Sequence, residues 1–598
     1  MKMVVLIKHI KQNIVIFTLV SALLFVFIPI SFIDRFLAGL ICFGVFFDIR
    51  NIKFEFNRWY EIVLFIIVSA YLMFAFFGYD LFLKNSMHLT VYYRLFFYAL
   101  GFIWICYVLQ SFLDAIKHLG IIKDRVCIPT KDSYPRKWLI LFTIMVPLFA
   151  LWQIAFNPIV ITRDSWYYLD GWLNNIYTSA FPPAYTFLVN IICGAAPTKP
   201  EVVWIGITQN IAFSSLLATI LMYFHQRWIK FKYIIPVAII LPLIPSFGLH
   251  TIVVWADLSA GMSILWLTYV LVRIIDEVII TKSVSKKQQL SFCIQLCISM
   301  VLVYFIRSNT FLVYLIMVPV LVLLFSIKKE WKLLITVAIS IIIVILIRFP
   351  GFNALNVQED IRAHEHRYHA AMHDMQATYY SGGRFSDDTL TALRGYIRNL
   401  DAPGAREMFL PHYVLWYEDY FHYDLSELTT HRFLAMYIDT FIRNPIEMTR
   451  SMLNRLHAYW AIDPRFHVDA VNQTDIFDRA TNSVTTSVPL IGVYRQPNIL
   501  TNVFNEHMTT MNLRFPATFI WRLGIWVAII IISLMTLITE RRFIWLLTYI
   551  PVFVYLATLY IAMGWTDYRY GLPVFFIGLF LPVTLLLLKS TKADGEIA

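Results

Sequence analysis

Charge is what this chain has least of. Only 15% of its 598 residues are Asp, Glu, Lys or Arg, whereas soluble domains carry about a quarter. With a mean hydropathy of +0.66, that scarcity excludes an ordinary soluble globule and makes the chain an integral membrane protein. Strand-like alternation of apolar and polar residues is also missing, which argues against an outer-membrane barrel and for a helical bundle. Cysteine is sparse. Cys42, Cys106, Cys127, Cys193, Cys293 and Cys297 lie in or beside apolar segments, and the long hydrophilic insert has none. No disulfide framework is expected, and Cys293 and Cys297, one helical turn apart, read as small buried thiols. Walker A loops, Rossmann glycine patterns and GxSxG elbows are all missing, so ATP-driven transport and serine hydrolysis lose their usual supports.

Apolar stretches near the ~20 residues needed to cross roughly 30 Å of hydrocarbon recur along most of the length. About fourteen spans are expected, over 14–33, 36–48, 60–79, 91–112, 138–157, 203–224, 233–247, 253–272, 290–307, 309–327, 333–350, 517–538, 543–563 and 570–588. Basic residues gather in alternate loops: Arg50, Lys53 and Arg58; Lys117, Lys123, Arg125, Lys131, Arg136 and Lys137; Arg227, Lys230 and Lys232. The pattern continues with Arg273, Lys282, Lys286 and Lys287, then Lys328 and Lys332, then Arg541 and Arg542. Lys2, Lys8 and Lys11 share that side, which the positive-inside rule makes cytoplasmic, with both termini there, in a cell (inner) membrane. The net charge of +11 therefore reports orientation and implies no nucleic-acid partner. The run 14–33 is too long for a signal peptide and lacks a small-x-small cleavage site, so it reads as a retained span.

Two larger pieces fall outside. In 158–202 the apolar stretch Pro183–Ala196 is too short to span and reads as a helix along, or dipping into, the interface. The insert 351–515 is far too long for a connector and reads as a mainly helical extracytoplasmic domain. Asn444 as N-cap, Pro445 at the first helical position and Glu447 three residues after the cap open a helix through Met448–Trp460. The chain thus divides into N-terminal helices over 1–137, transmembrane helices over 138–350 with the outside loop 158–202, the outside domain 351–515, and the last helices over 516–598.

Four polar clusters lie at outside ends of these spans. The first, Arg163-Asp164-Ser165-Trp166 with Asp170 nearby, offers a carboxylate that can activate a hydroxyl or hold a divalent cation, beside aromatics suited to sugar stacking. An aromatic belt with ordinary loop charges would read the same way. Asp257, beside Trp255 and His250, is costly to bury without a partner; an arginine pair or a catalytic role both fit. Arg307, with Ser308 and Asn309, occupies a tight turn, and Arg569-Tyr570 precedes the last span; guanidinium groups fork onto phosphate. Topological anchoring and snorkelling toward headgroups are the plainer alternatives. In the insert, His366, His369 and His373 have spacings that permit zinc, but without HExxH they read as a solvated helix face.

Taken in order, these residues resemble the GT-C superfamily of membrane glycosyltransferases, and more narrowly an uncharacterised bacterial multi-span group within or near it. The resemblance is carried over 138–588 by Asp164-Ser165-Trp166, Trp255-x-Asp257, Arg307-x-Asn309, Asn444-Pro445 to Tyr459-Trp460, and Arg569-Tyr570 with Pro573. It departs where many relatives have His-Pro after the acidic loop, since Phe181-Pro182-Pro183 stands here, and where a second acidic residue would precede, since residue 162 is Thr. The resemblance implies a GT-C-like all-α polytopic bundle that moves a sugar from a polyprenyl-phosphate donor to a cell-envelope glycan or glycolipid. It also implies that 1–137 is an addition to a transmembrane core that starts at 138. Asp164 and Asp257 would be catalytic, and Arg163, Arg307, Asn309, Arg569, Tyr570 and Trp166 would bind substrate. A lipid or polysaccharide transporter or flippase is the alternative from another class, and an envelope polysaccharide polymerase or ligase would share the same outside site.

Overall fold

The computed structural model describes residues 134–409, 421–460, 498–504, 523–562 and 568–587, with short interruptions that include 161–164, 166–167, 170, 172–175 and 195–201. The four expected spans before residue 134 lie outside the described residues, apart from isolated positions between 63 and 75.

In chain order the membrane-type helices are α1 (Tyr134–Ala155), the short α2 (Pro183–Cys193), α3 (Val203–Arg227), α4 (Phe231–Leu243) and α5 (Pro245–Ile252). Next come α6 (Ala256–Arg273), α7 (Lys286–Phe305), α8 (Phe311–Lys328) and α9 (Trp331–Leu346). The insert contributes α10 (Ile361–Tyr380), α11 (Asp387–Tyr396), α12 (Thr430–Arg443) and α13 (Pro445–Arg455). The chain returns through α14 (Leu523–Thr539), α15 (Ile550–Ala562) and α16 (Leu572–Leu587). Among the described residues, seven helices are long and apolar enough to cross a membrane, or eight if the bent pair α4–α5 is one span. That makes this an all-helical membrane protein. Helices α14 and α16 are apolar but shorter, at 17 and 16 residues.

Local chemistry sets several boundaries. Ser285 and Gln288 close a capping box at the start of α7, and Lys329 ends α8 in a left-handed conformation. The expected single span 233–247 is instead broken by 66° between α4 and α5. Pro242 and Pro245 flank the break, and each removes a backbone donor, so the ladder cannot run through.

Helix α6 is the hub: with its π-helical extension Ile274–Ile280 it has 78% of its apolar window buried, against 28% for Trp331–Ala354 at the periphery. It packs on α3, α7, α15 and α16. The approach to α16 is close enough that a Cβ on Gly261 would fall 2.9 Å from the Phe576 ring. At the far end of α6, Arg227 and Arg273 are not free loop charges. Arg227 pairs with Asp276 at 2.8 Å, and Arg273 grips both carboxylate oxygens of Glu277 at 2.8 and 3.0 Å. Tyr223 also donates to Asp276 at 3.0 Å. This network lies about 30 Å from Asp257 along the helix, at 1.5 Å per residue.

The insert has its own core, built from Met372, Met375, Leu393, Phe421, Leu425 and Leu428. Two expectations are corrected there. The solvated histidine face is wrong for the second half of α10: His373, Asp374 and Gln376 are fully buried, and His373 lies 4.8 Å from the Phe409 ring. Helix α13 does begin at Pro445 with Asn444 before it, but the Asn444 side chain makes no capping bond. Its amide instead bonds both the backbone N–H and the carbonyl of Arg384 at 2.6 Å, pinning the loop after α10 to the α12–α13 corner. Asp374 and Arg455, both 1% exposed, form a buried ion pair at 2.8 Å. Arg455 also donates to the Tyr560 carbonyl at the end of α15, fastening the insert to the bundle.

Candidate functional site

Asp257 sits in the first turn of α6, where Trp255 is still extended and the helix N-terminus favours a negative charge. It is 4% exposed, and the buried carboxylate has found a partner: Arg307, fifty residues on in the α7–α8 turn, donates from Nη1 to Asp257 Oδ1. The turn itself is held by Thr310, whose hydroxyl donates to the carbonyls of Val303 at 2.5 Å and Arg307 at 2.9 Å. The arginine pairing expected for Asp257 is present, and its carboxylate orients the Arg307 guanidinium.

Arg307 also lies 4.6 Å from the centre of the Tyr570 ring. Arg569 lies 4.6 Å from that same ring and 4.7 Å from Trp255, and donates to the Tyr570 hydroxyl at 2.7 Å. Two guanidinium groups therefore lie against one phenol ring, each stabilised by the negative face of an aromatic ring. The Tyr570 carbonyl accepts from Tyr555 at 2.7 Å, which ties the turn before α16 to α15. Asn309 is buried beside Tyr555. His250, in the last turn of α5, is buried near Trp255, with Nδ1 2.8 Å from the Ser246 carbonyl.

Arg163, Asp164 and Trp166 lie outside the described residues, as do Asp170 and Asp567. The described residues around the first group are tied to the approach to α6. Val160 donates to the Ile252 carbonyl at 2.8 Å and accepts from Val254, while the buried Ser165 hydroxyl donates to the Val254 carbonyl at 3.1 Å. Tyr168 stacks edge-on against Tyr185 of α2. The short helix α2, expected along the interface, thus lends a ring to this wall. The 158–202 loop also joins the insert, through Gln358 N–H to the Tyr177 carbonyl at 2.8 Å and Ser179 N–H to the Gln358 carbonyl at 2.9 Å.

Tyr185, Gln209 and Tyr555 escaped the sequence reading. With its amide nitrogen toward the carbonyls of Thr251 and Val253, Gln209 accepts from the Tyr185 hydroxyl at 3.0 Å. Its signal was available: a glutamine inside an apolar span must satisfy its amide within the protein. Tyr185 and Tyr555 had none, because tyrosines are common throughout such segments. Among the described residues, no three His, Cys, Asp or Glu side chains are grouped to hold a metal ion.

Asp257, Arg307 and Arg569 come from stretches 50 to 312 positions apart and meet around the Tyr570 ring. Such an arrangement can bind an anion between guanidinium groups and present sugar-sized rings beside it. No protein-family model matches the chain, and no curated protein and no solved structure is significantly similar to it.

Proposed function

We propose that this protein is a membrane glycosyltransferase of GT-C type that moves a sugar from a polyprenyl-phosphate donor to an envelope glycan or glycolipid at the extracytoplasmic face of the inner membrane. The observation that carries this reading is the pair of guanidinium groups, Arg307 and Arg569, each 4.6 Å from the Tyr570 ring. Donor phosphate would lie against them. Asp164, assigned from the sequence, takes the proton of the acceptor hydroxyl as that oxygen attacks the anomeric carbon. The carbon–phosphate oxygen bond breaks on the opposite face, and the polyprenyl phosphate leaves with the bonding pair, its charge held by the two arginines. Asp257 keeps Arg307 aimed, and Trp166 and Arg163 line the acceptor side.

The test is transfer in membranes supplied with a polyprenyl-phosphate sugar. Asp164→Asn is expected to abolish transfer at unchanged protein level, and near-normal turnover would remove it as the base.

A second reading, a lipid or polysaccharide flippase, is favoured by one observation. The broken pair α4–α5 delivers a half-helix whose end, Ile252, precedes Trp255 and Asp257 by a few residues, a device transporters use to open a binding site. Labelled lipid crossing vesicles without sugar transfer would establish it instead.

A further inference from the structure

Helix α12 wears its apolar face outward. Met436 and Thr440 are its buried residues, while Leu434, Ile438, Phe441 and Ile442 are 48%, 52%, 39% and 72% exposed. Ile446, at the start of α13, continues the stripe at 64%. Spacings of three and four residues put the four α12 residues on one side. The opposite side packs on the insert's own core through Met436, Phe433 and Tyr437, and on the flank Asp439 accepts from Ser386 at 2.7 Å, from Thr389 at 2.8 Å and from Arg443 at 2.7 Å. A helix already packed against the protein on one side, with an aliphatic stripe left facing away on the other, needs an apolar surface for that stripe to rest on.

Two features identify that surface. The stripe is bordered by exposed arginines, Arg432 at one end and Arg450 beyond the other, a distribution that suits lipid phosphates. The insert is also fastened directly to the ends of membrane-spanning helices. Arg455 reaches the Tyr560 carbonyl of α15 at 3.3 Å. Asn498 and Thr501 donate to the carbonyls of Ile154 and Ala155, which end α1, at 3.0 and 2.5 Å. The bilayer is thus the large apolar surface beside this domain. We propose that α12 is an interfacial helix, lying in the leaflet on the insert's side with its aliphatic stripe in the upper acyl region and its arginines among the headgroup phosphates.

The experiment uses the full chain with p-benzoyl-phenylalanine at position 438 or 442, reconstituted in vesicles of phosphatidylethanolamine and phosphatidylglycerol, irradiated and read by mass spectrometry. A control carries the probe at position 388, an exposed site on α11. Several-fold more phospholipid adduct at 438 and 442 than at 388 is expected. A covalent dimer at 438 or 442 would assign the stripe to a second copy and overturn the proposal, and lipid adducts no more abundant than at 388 would overturn it as well. The outcome is independent of which reaction the bundle performs.

Discussion

Changing Asp257 to Asn removes the charge opposite Arg307 while keeping the side chain's size. The Asp257 side chain is 4% exposed and that of Arg307 13%, so water screens neither charge well. Breaking a buried pair by removing one partner costs about 3–5 kcal/mol, because the other charge stays behind without its counter-ion. The remaining amide still accepts one hydrogen bond, which puts Asp257→Asn near about 3 kcal/mol and Arg307→Met, which strands the carboxylate, nearer 5. The double variant strands nothing and is expected to be no less stable than either single variant, a strongly non-additive result. Unfolding in detergent, followed by circular dichroism, reads the stability side. Transfer, or binding of the lipid-linked donor, reads the other. If Arg307 holds phosphate, the double variant recovers stability without recovering donor binding. Single variants that each lose under about 1 kcal/mol would mean a solvated pair, and a double variant that binds donor normally would reduce Arg307 to a helix-turn fastener.

Within the insert, Arg455→Met strands the fully buried Asp374 and removes the bond to Tyr560. It should cost about 3–5 kcal/mol and make the insert protease-sensitive before the bundle unfolds, and unchanged proteolysis would refute the fastening. Acid should loosen the α11–α12 contact. Burial alone would raise the Asp439 carboxyl, but the hydrogen bonds from Arg443, Ser386 and Thr389 outweigh it and hold the group down at about 2. A depressed folded-state value means the unfolded chain binds more protons, so this stability is present above the usual carboxylate range and is lost as pH falls toward 2. Asp439→Asn should flatten that acid limb, and an unaltered pH profile would show the bonds contribute nothing.

Membrane residence, helical class and the positions of most spans were legible in the chain because they depend on local sums: ~20 apolar residues in a row can do little else but cross a bilayer as a helix. The polar cluster members Asp257, Arg307 and Arg569 were legible for the same reason, since charges beside oily segments stand out. What they touch was not. Sequence left Asp257 open between a catalytic role and an arginine pair, and only the packing of α6 against the α7–α8 turn showed which arginine it meets. His373 of α10 looked solvated by composition, yet it is buried against Phe409, and its neighbour Asp374 pairs with Arg455, eighty-one residues on. Asn444 carried a cap signature and spends its amide on Arg384 instead. Each of these is a pairing across long separations, where the partner's identity depends on three-dimensional approach and a local pattern holds no trace of it. The break between α4 and α5 was written in two prolines, whereas the direction it turned the chain, toward Trp255, came from the tertiary fold alone.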